Sequence, residues 1–376
     1  MQLQMVDLKG QYRRIQGEIN EAIQSVINDA AFIKGKYVSE FCENLEKYLE
    51  TKHIIPCANG TDALQLALMA LDLNPGDEVI TTPFTFVATA ETIVLLGLKP
   101  VFVDIDPVTF NLDTSKIEEH ITEKTKCIIP VHLFGQSADM SEIMDIADRY
   151  NLNVIEDAAQ AIGAKYSFNN QMQNCGTIGD IGTLSFFPSK NLGCYGDGGA
   201  VMTNDESLAH KINLFANHGS TRKYYYDEIG INSRLDGVQA AILNVKLKYL
   251  DDYNKARQKA ASIYDHLLAD VEEVETPVIA TNRNHVYHQY TLKLSEGRDE
   301  VQAALKEKGI PTAIYYPAPL YTQSIYQAYK SQKEDYAITE SLCNSVLSLP
   351  MHTELNEDMQ RYIVDALKSA LVKSMV

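Results

Sequence analysis

The sequence lacks any apolar run of the roughly 18 residues that a membrane-spanning helix needs. Its first residues, MQLQMVDLKGQYRR, also lack the apolar stretch of a secretory signal peptide. Basic residues are few, since 33 lysines and arginines stand against 50 aspartates and glutamates, for a formal net charge of −17. These absences argue against a membrane or nucleic acid as the main partner, although a local basic pocket could still bind a phosphate. We expect a cytoplasmic protein.

The cysteines form no CxxC pair and no zinc-type pattern with the histidines. There are six of them, at positions 42, 57, 127, 175, 194 and 343. The sequence therefore predicts neither a metal site nor a disulfide framework, and the cysteines are expected to be buried, reduced thiols.

The length and composition indicate a soluble protein of about two domains. The chain has 376 residues, of which 45% are apolar and 22% charged. From about residue 50 to 205, short strand-like apolar runs alternate with helical stretches, which is typical of an α/β fold with a mostly parallel sheet. An apolar repeat at three- and four-residue steps predicts one long helix from about 235 to 269. We place a large domain at 1–250, with a helical segment over 1–50, and a small α+β domain at 251–376.

Polar residues that follow parallel strands meet at one edge of the sheet, where ligands bind. CANGTDAL (57–64) places Gly60 and Thr61 at the start of a buried helix, where free amide groups and the helix dipole favour a phosphate. Asp62 could simply cap that helix. Ser185, on a later strand-like run, is a candidate second phosphate contact.

Two phenylalanines, Phe84 and Phe86, follow another strand in TPFTFVAT (82–89). Either ring could lie flat on an aromatic ligand. Plain core packing is the alternative.

A carboxylate and a lysine complete the set. VIEDAAQAIGA (154–164) ends an apolar strand with Asp157, which could be a helix cap, a salt-bridge partner, or the carboxylate that keeps a pyridinium nitrogen protonated. Lys190 follows in SFFPSKNLG, where burial would lower its pKa and make the amine able to form a Schiff base. An anion seat, an aromatic ring, an aspartate and this lysine together match what pyridoxal 5'-phosphate (PLP) requires.

The order of these motifs resembles the DegT/DnrJ/StrS-type nucleotide-sugar aminotransferases, which have the aspartate aminotransferase fold (PLP fold type I). The resemblance runs almost end to end, through VDLKGQYRRIQGEI, IKGKYVSEFCENLEKYL, NGTDALQLAL, GDEVITTPFTFVAT, PVFVDIDP, PVHLFGQ, VIEDAAQAIGA, SFFPSKNLG, GINSRLD, YYP and LSLPMH. It implies a large domain with a mostly parallel central sheet and a smaller C-terminal α+β domain.

The resemblance also implies roles for the residues. Lys190 would form the Schiff base with PLP and later move a proton, Asp157 would pair with the pyridinium nitrogen, and Gln160 would contact the phenolic oxygen of the ring.

The same resemblance implies the remaining cofactor contacts. Gly60, Thr61 and Ser185 would hold the phosphate, and Phe86 would stack on the ring. Because family active sites lie at a homodimer interface, Asn232 of the neighbouring subunit would reach the phosphate.

GINSRLD (230–236) also has a local interpretation. Ser233 and Asp236 resemble a capping box, which would place Arg234 in the first turn of a helix. A structural salt bridge of Arg234 is one interpretation. The other is that Arg234 reaches across the dimer to an anionic substrate, as in relatives that aminate a 3-keto sugar uronate.

One departure concerns the sugar site. Many relatives have His-Tyr-Pro where this chain has Tyr315-Tyr316-Pro317, so Tyr315 and Tyr316 are the candidate sugar contacts. His132 and His218 lie in family-like stretches, and we expect both to be satisfied structural histidines.

The resemblance implies an aminotransferase that moves an amino group from L-glutamate to a keto nucleotide sugar, with pyridoxamine phosphate (PMP) formed between the two half-reactions. The predicted substrate is the 3-keto group of UDP-2-acetamido-2-deoxy-3-oxo-glucuronate, in surface polysaccharide (lipopolysaccharide, O-antigen) biosynthesis. The alternatives are a dTDP-3-keto-6-deoxyhexose, a 4-keto nucleotide sugar, or a PLP-binding regulator without turnover. A dehydratase of this fold would have histidine in place of Lys190.

Overall fold

The structure, a computed structural model, describes residues 3–331 and 335–374. Its α-helices are α1 (Leu8–Asn28), α2 (Lys36–Leu49), α3 (Gly60–Ala70), α4 (Ala88–Leu95), α5 (Met140–Tyr150), α6 (Glu206–Ala216), α7 (Gly237–Leu247), α8 (Leu250–Leu268), α9 (Arg298–Glu307), α10 (Ala337–Ser345) and α11 (Glu357–Ser374). Its strands are β1 (His53–Cys57), β2 (Glu78–Thr81), β3 (Lys99–Phe102), β4 (Thr125–Ile128), β5 (Asn153–Asp157), β6 (Lys165–Phe168), β7 (Gln171–Asn174), β8 (Ile181–Ser185), β9 (Gly199–Thr203), β10 (Ser220–Arg222), β11 (Tyr225–Tyr226), β12 (Val274–Glu275), β13 (Tyr290–Leu294) and β14 (Val346–Leu349). Short 3-10 helices lie at Thr114–Lys116, Glu118–His120, Leu133–Gly135, Leu320–Thr322 and Gln327–Tyr329.

A seven-stranded sheet forms the centre of the fold, in the order β1-β9-β8-β5-β4-β2-β3. Strands β3, β2, β4, β5 and β8 are parallel neighbours, whereas β9 runs antiparallel to both β8 and β1. The predicted α/β class with a mostly parallel sheet is confirmed. Because β2, β5 and β8 end at Thr81, Asp157 and Ser185, these three residues lie at the same edge of the sheet.

Helices cover the sheet according to their apolar faces. The helix α3 is buried nearly all round and packs on β5, β8 and β9, so its N-terminus is fixed at the edge where the parallel strands end. The amphipathic helices α1 and α2 instead pack on α7.

The C-terminal part of the chain builds a second core. Strands β12, β13 and β14 form an antiparallel sheet. This sheet packs in one apolar cluster with α8, α9 and α11. Leu3, near the other end of the chain, belongs to the same cluster, and the amide of Met351 donates to the carbonyl of Met5 at 3.2 Å. We retain as a proposal the division into domains 1–250 and 251–376.

The single long helix predicted over 235–269 is wrong. The helix α7 ends at Leu247, and α8 begins at Leu250, after two tight turns in which Lys248 and Tyr249 donate to the carbonyls of Val245 and Lys246. The apolar repeat continues through the break because both helices bury a face, α7 against α1 and α2 and α8 against α11.

The described structure can be compared with the sequence on membrane-spanning helices, cysteines and metal-binding groups. None of the described helices is long and apolar enough to cross a membrane. All six cysteines are free, and all but the half-buried Cys42 are buried. Within residues 3–331 and 335–374, no group of histidine, cysteine and acidic side chains could hold a metal ion.

Candidate active site

A cavity of about 620 Å³ opens at the edge where the parallel strands end. It brings together the predicted cofactor and sugar residues except Asn232 and Arg234. The predicted residues that line it are Gly60, Thr61, Phe86, Asp157, Gln160, Ser185, Lys190, Tyr315 and Tyr316.

Asp157 presents a buried carboxylate at the end of β5. Its Oδ2 accepts a 2.8 Å hydrogen bond from Oγ1 of Thr89, and its Oδ1 accepts from the amide of Ala159 at 3.2 Å. No helix starts at this point, and Asp157 makes no ion pair with a residue of the described chain. The helix-cap and salt-bridge interpretations of Asp157 are therefore wrong, and the carboxylate is held ready for a donor in the cavity.

Lys190 is half-buried in the same cavity, where its backbone is fixed by a 2.8 Å hydrogen bond from its amide to the carbonyl of Phe187. Burial lowers the pKa of the Lys190 amine to about 8, against a smaller opposite effect from the charge of Asp157. A lowered pKa increases the fraction of neutral, nucleophilic amine near neutral pH.

The start of α3 forms a seat for an anion. Asn59 caps the helix by accepting a 2.8 Å hydrogen bond from the amide of Asp62, whereas no residue of the described chain accepts from the amides of Gly60 and Thr61. A Cβ on Gly60 would lie 2.7 Å from Cβ of Ser185, so only glycine lets this serine approach the helix end. Free amides, the helix dipole and a hydroxyl therefore converge on one point.

The structure distinguishes the two phenylalanines. Phe84 is fully buried and packs edge-on against Phe134 and Tyr316, so core packing is its role. Phe86 lines the cavity with 57% of its surface exposed. The ring available for stacking is that of Phe86.

Gln160 is held in the wall of the cavity by two hydrogen bonds. Its Oε1 accepts a 2.7 Å hydrogen bond from the amide of Phe134, and its Nε2 donates to Oη of Tyr316 at 3.2 Å. Burial raises the pKa of Tyr316, so its hydroxyl stays protonated. Tyr315 lies beside it with its ring 6.0 Å from that of Tyr316.

Asn232 and Arg234 lie outside this cavity. Arg234 donates through Nε to Oδ1 of Asn232 at 2.7 Å, and its Nη2 contacts the same oxygen. Arg234 lines a second cavity, of about 390 Å³, together with Lys34 and Asn217. Arg234 makes no ion pair with a carboxylate of the described chain. The structural salt bridge, which was one interpretation of Arg234, is therefore not found among the described residues.

The predicted capping box is wrong. The helix α7 begins at Gly237, and Arg234 precedes it. Oγ of Ser233 instead donates to Asp62 at 2.6 Å and accepts from the amide of Ala58 at 3.0 Å. The segment is held extended because Asp236 forms a β-bridge with Ile33.

The two predicted structural histidines differ. His132 is fully buried, with Nε2 2.7 Å from Oε2 of Glu156 and with Nδ1 accepting from the amide of Ala138 at 3.0 Å. The prediction is confirmed for His132 and wrong for His218, which is exposed.

Thr89 and His288 are among the cavity residues that sequence reasoning missed. Thr89 holds Asp157, and its signal was its place in TPFTFVAT, in the first turn of α4. His288 also lies in the cavity wall, in a segment where the sequence has no motif that indicates a site.

Comparison with known proteins gives a consistent result. The profile of the "DegT/DnrJ/EryC1/StrS aminotransferase family" matches residues 13–368. The chain is 49% identical over 370 residues to the "Pleiotropic regulatory protein" of Geobacillus stearothermophilus, with 98% of each chain covered. It is 47% identical over 365 residues to the "UDP-2-acetamido-2-deoxy-3-oxo-D-glucuronate aminotransferase" of Pseudomonas aeruginosa, with 97% of this chain and 99% of the relative covered.

A solved structure links the fold to the cofactor. NtdA from Bacillus subtilis "with bound cofactor PMP" superimposes with a TM-score of 0.87 at 36% identity, covering 95% of this chain and 82% of NtdA. The predicted PLP fold type I, the aminotransferase activity and the PLP cofactor are confirmed. The chain belongs to the DegT/DnrJ/EryC1/StrS aminotransferase family.

Proposed function

We propose that this enzyme transfers the amino group of L-glutamate to the 3-keto group of UDP-2-acetamido-2-deoxy-3-oxo-glucuronate. The observation that carries the proposal is the convergence, in one cavity, of the Lys190 amine, the Asp157 carboxylate and the anion seat of α3. The activity of the Pseudomonas aeruginosa relative supports the choice of sugar. A product of this kind would enter surface polysaccharide synthesis in the cytoplasm.

The residues of the cavity fit PLP. Gly60, Thr61 and Ser185 would hold its phosphate, since two amides without partners and a hydroxyl meet there and a Cβ at position 60 would close the approach. Phe86 offers an open ring face, and Asp157 offers a carboxylate for the protonated ring nitrogen.

When bound, PLP supplies a protonated pyridine ring that takes up electron density as a C–H bond next to the amine is broken. Lys190 would attach to the cofactor through Nζ. Once Nζ is released, it would accept the proton that leaves Cα of the amino donor. Its lowered pKa suits this work, because an amine with an ordinary lysine pKa would be almost fully protonated near neutral pH. Asp157, fixed by Thr89, would keep the ring nitrogen protonated.

Asn232 and Arg234 would act in a neighbouring subunit. They do not line the cavity of their own chain, and within the described residues the guanidinium of Arg234 bonds to the neutral side chain of Asn232 and to no carboxylate. In a homodimer, Asn232 would approach the cofactor phosphate of the partner site, and Arg234 would bind the uronate carboxylate, which is the bidentate acceptor that arginine prefers. Tyr315 and Tyr316 would contact the sugar from the chain that supplies Lys190.

A regulatory role without turnover is the other reading of the similarity to the pleiotropic regulatory protein. A non-catalytic binder would not require an amine of lowered pKa in one cavity with a carboxylate that makes no ion pair within the described chain. The presence of both Lys190 and Asp157 in the cavity therefore favours an enzyme over a regulator, and Lys190 in place of histidine favours transamination over dehydration.

The first test is the half-reaction. The purified enzyme should show the absorption band of bound PLP, and L-glutamate alone should replace it with the shorter-wavelength band of PMP and release 2-oxoglutarate. Lys190→Ala is the control and should bind the cofactor without turnover. A wild-type spectrum that ignores L-glutamate would refute the proposed donor, and normal turnover by Lys190→Ala would refute the role of Lys190.

The sugar is tested with Arg234→Ala. Its kcat/KM should fall for the 3-keto uronate and remain near wild type for a neutral dTDP-3-keto-6-deoxyhexose. Equal losses with both sugars would contradict a carboxylate contact.

The dimer is tested by mixing two variants that are both expected to be impaired with the 3-keto uronate, and by measuring activity with that sugar. Lys190→Ala and Arg234→Ala carry their lesions in different halves of a shared site, so one site of each mixed dimer is intact. Recovery to about a quarter of wild-type activity is expected from random mixing. If each site belonged to one chain, mixing would restore nothing.

A further inference from the structure

His288 is a buried ring without hydrogen bonds in the wall of the active-site cavity. It is 5% exposed and lines the cavity together with Lys190. Its Nδ1 is buried and has no partner, and no described residue bonds to either ring nitrogen. Because buried polar atoms nearly always find a partner, a group in the cavity that His288 lines is the candidate partner.

The backbone around His288 is rigid, so the position of the ring is fixed before any ligand binds. Gly135 packs so closely that a Cβ there would lie 3.0 Å from the amide nitrogens of both Tyr287 and His288. The buried Arg257 donates through Nη1 to the carbonyls of Tyr287 at 3.1 Å and His288 at 3.4 Å. Nη1 of Arg257 also donates to the carbonyl of Met351 at 3.0 Å, so this guanidinium holds the segment in place.

The surroundings of His288 keep its ring neutral. Burial, followed by the charges of Lys190 and Arg257, holds the pKa of His288 well below its usual value. A neutral imidazole has one N–H donor and one nitrogen lone pair. His288 is therefore too weak a base to carry a proton at neutral pH, but it can accept a hydrogen bond.

Lys190 is the matching donor in the same cavity. Its Nζ makes no hydrogen bond or ion pair with a residue of the described chain, although burial makes an unpartnered amine costly. We propose that His288 is a positioning residue that accepts a hydrogen bond from the Lys190 amine whenever that amine is free of the cofactor. This bond turns the lone pair of Nζ toward the donor Cα. The inference rests on the proposed role of Lys190.

The test compares His288→Leu and His288→Gln with a matched control, His285→Gln. His285 is also buried and lies three residues away, but it stacks on Tyr287, accepts from the amide of Tyr287 at 2.9 Å and does not line the cavity. The measurement is the rate of the half-reaction with L-glutamate, with hydrogen or deuterium at its Cα.

We expect His288→Leu to slow the half-reaction by about 10- to 100-fold, as for the loss of a hydrogen bond to a group that becomes charged. The deuterium effect should increase because proton transfer becomes slower than the other steps, while the glutamate KM changes little. His288→Gln, which keeps an acceptor, should recover part of the rate, and His285→Gln should retain the wild-type deuterium effect.

Three outcomes would overturn the proposal. A His288→Leu rate within about twofold of wild type would do so. So would an equal loss in His288→Gln and His288→Leu with an unchanged deuterium effect, which indicates a structural role. A loss confined to cofactor affinity would make His288 a cofactor ligand instead. Absence of any half-reaction in the wild type would be a failure of the proposed function, not of His288.

A second measurement uses the wild-type enzyme and therefore does not depend on whether a variant folds. In the wild-type holoenzyme with nitrogen-labelled histidine, conversion to the PMP form by L-glutamate frees the Lys190 amine. One ring nitrogen of His288 should then take the chemical shift of a hydrogen-bonded acceptor, for which Nδ1 of His285 is an internal reference. An unchanged His288 signal would contradict the proposal.

Discussion

Oγ1 of Thr89 lies 2.8 Å from Oδ2 of Asp157 and donates a hydrogen bond to it inside the cavity. The bond joins the first turn of α4 to the end of β5 and fixes the carboxylate that faces the cofactor site. Asp157 therefore depends on a neutral side chain for its orientation.

Removal of this bond should affect the cofactor site more than the fold. Thr89→Val should lower kcat by about tenfold or more, because hydrogen bonds to charged groups contribute about 1.5 to 3 kcal/mol. Thr92→Val is the matched control, since Thr92 is equally buried but its hydroxyl donates to the carbonyls of Ala88 and Thr89, both within its own helix. Similar kcat values for the two variants would contradict the role given to Thr89.

Glycine at position 60 should be required for cofactor affinity. In Gly60→Ala the new Cβ would lie 2.7 Å from Cβ of Ser185, so the phosphate seat must widen and PLP binding should weaken by about tenfold or more. In Gly17→Ala, within α1, the new Cβ meets nothing within 4 Å, and the variant should be as stable as wild type or more so. Equal PLP affinities by spectroscopic titration would refute the phosphate assignment.

Replacing each of the two phenylalanines with alanine should separate the effect on PLP binding from the effect on stability. Phe84→Ala should lower the free energy of unfolding by about 3 to 5 kcal/mol, because it empties a fully buried site. Phe86→Ala should leave stability nearly unchanged and weaken PLP binding, because its ring is exposed to the cavity. Denaturant unfolding of both cofactor-free variants, paired with PLP titration, checks this, and a large stability loss in Phe86→Ala would contradict it.

The lowered pKa of Lys190 should make the stability of the cofactor-free enzyme depend on pH. The folded state has a Lys190 pKa of about 8, against an ordinary 10.5, so it binds fewer protons than the unfolded state between these values. The free energy of unfolding should therefore rise with pH across this window, by about 1 to 3 kcal/mol more in wild type than in Lys190→Met. Parallel curves for the two proteins would show that the pKa of Lys190 is not lowered.

Much of the site was predictable because it lies at the ends of strands. Asp157 and Ser185 end apolar runs, and Gly60 opens an apolar helix, so the parallel topology brings them together. Phe86 could be chosen over Phe84 only through the resemblance, since both occupy the same kind of position in the sequence.

The residues that sequence reasoning misplaced depend on contacts between distant segments. Ser233 has the spacing of a capping box, yet its hydroxyl bonds to Asp62, 171 residues away. The apolar repeat crosses Lys248 and Tyr249 without a signal, although the helix ends there. His288 gives no sign of its place in the cavity, which depends on Gly135 and Arg257.

The packing of Leu3 within the C-terminal core has a consequence for how the chain folds. Leu3 packs in one apolar cluster with residues from Ala260 to Leu371, which lie far from it along the chain. Contacts between segments so far apart in sequence carry a large loop-closure entropy, so we expect this part of the cluster to form late in folding. A fragment of residues 251–376 would lack Leu3 and would therefore expose part of this apolar cluster.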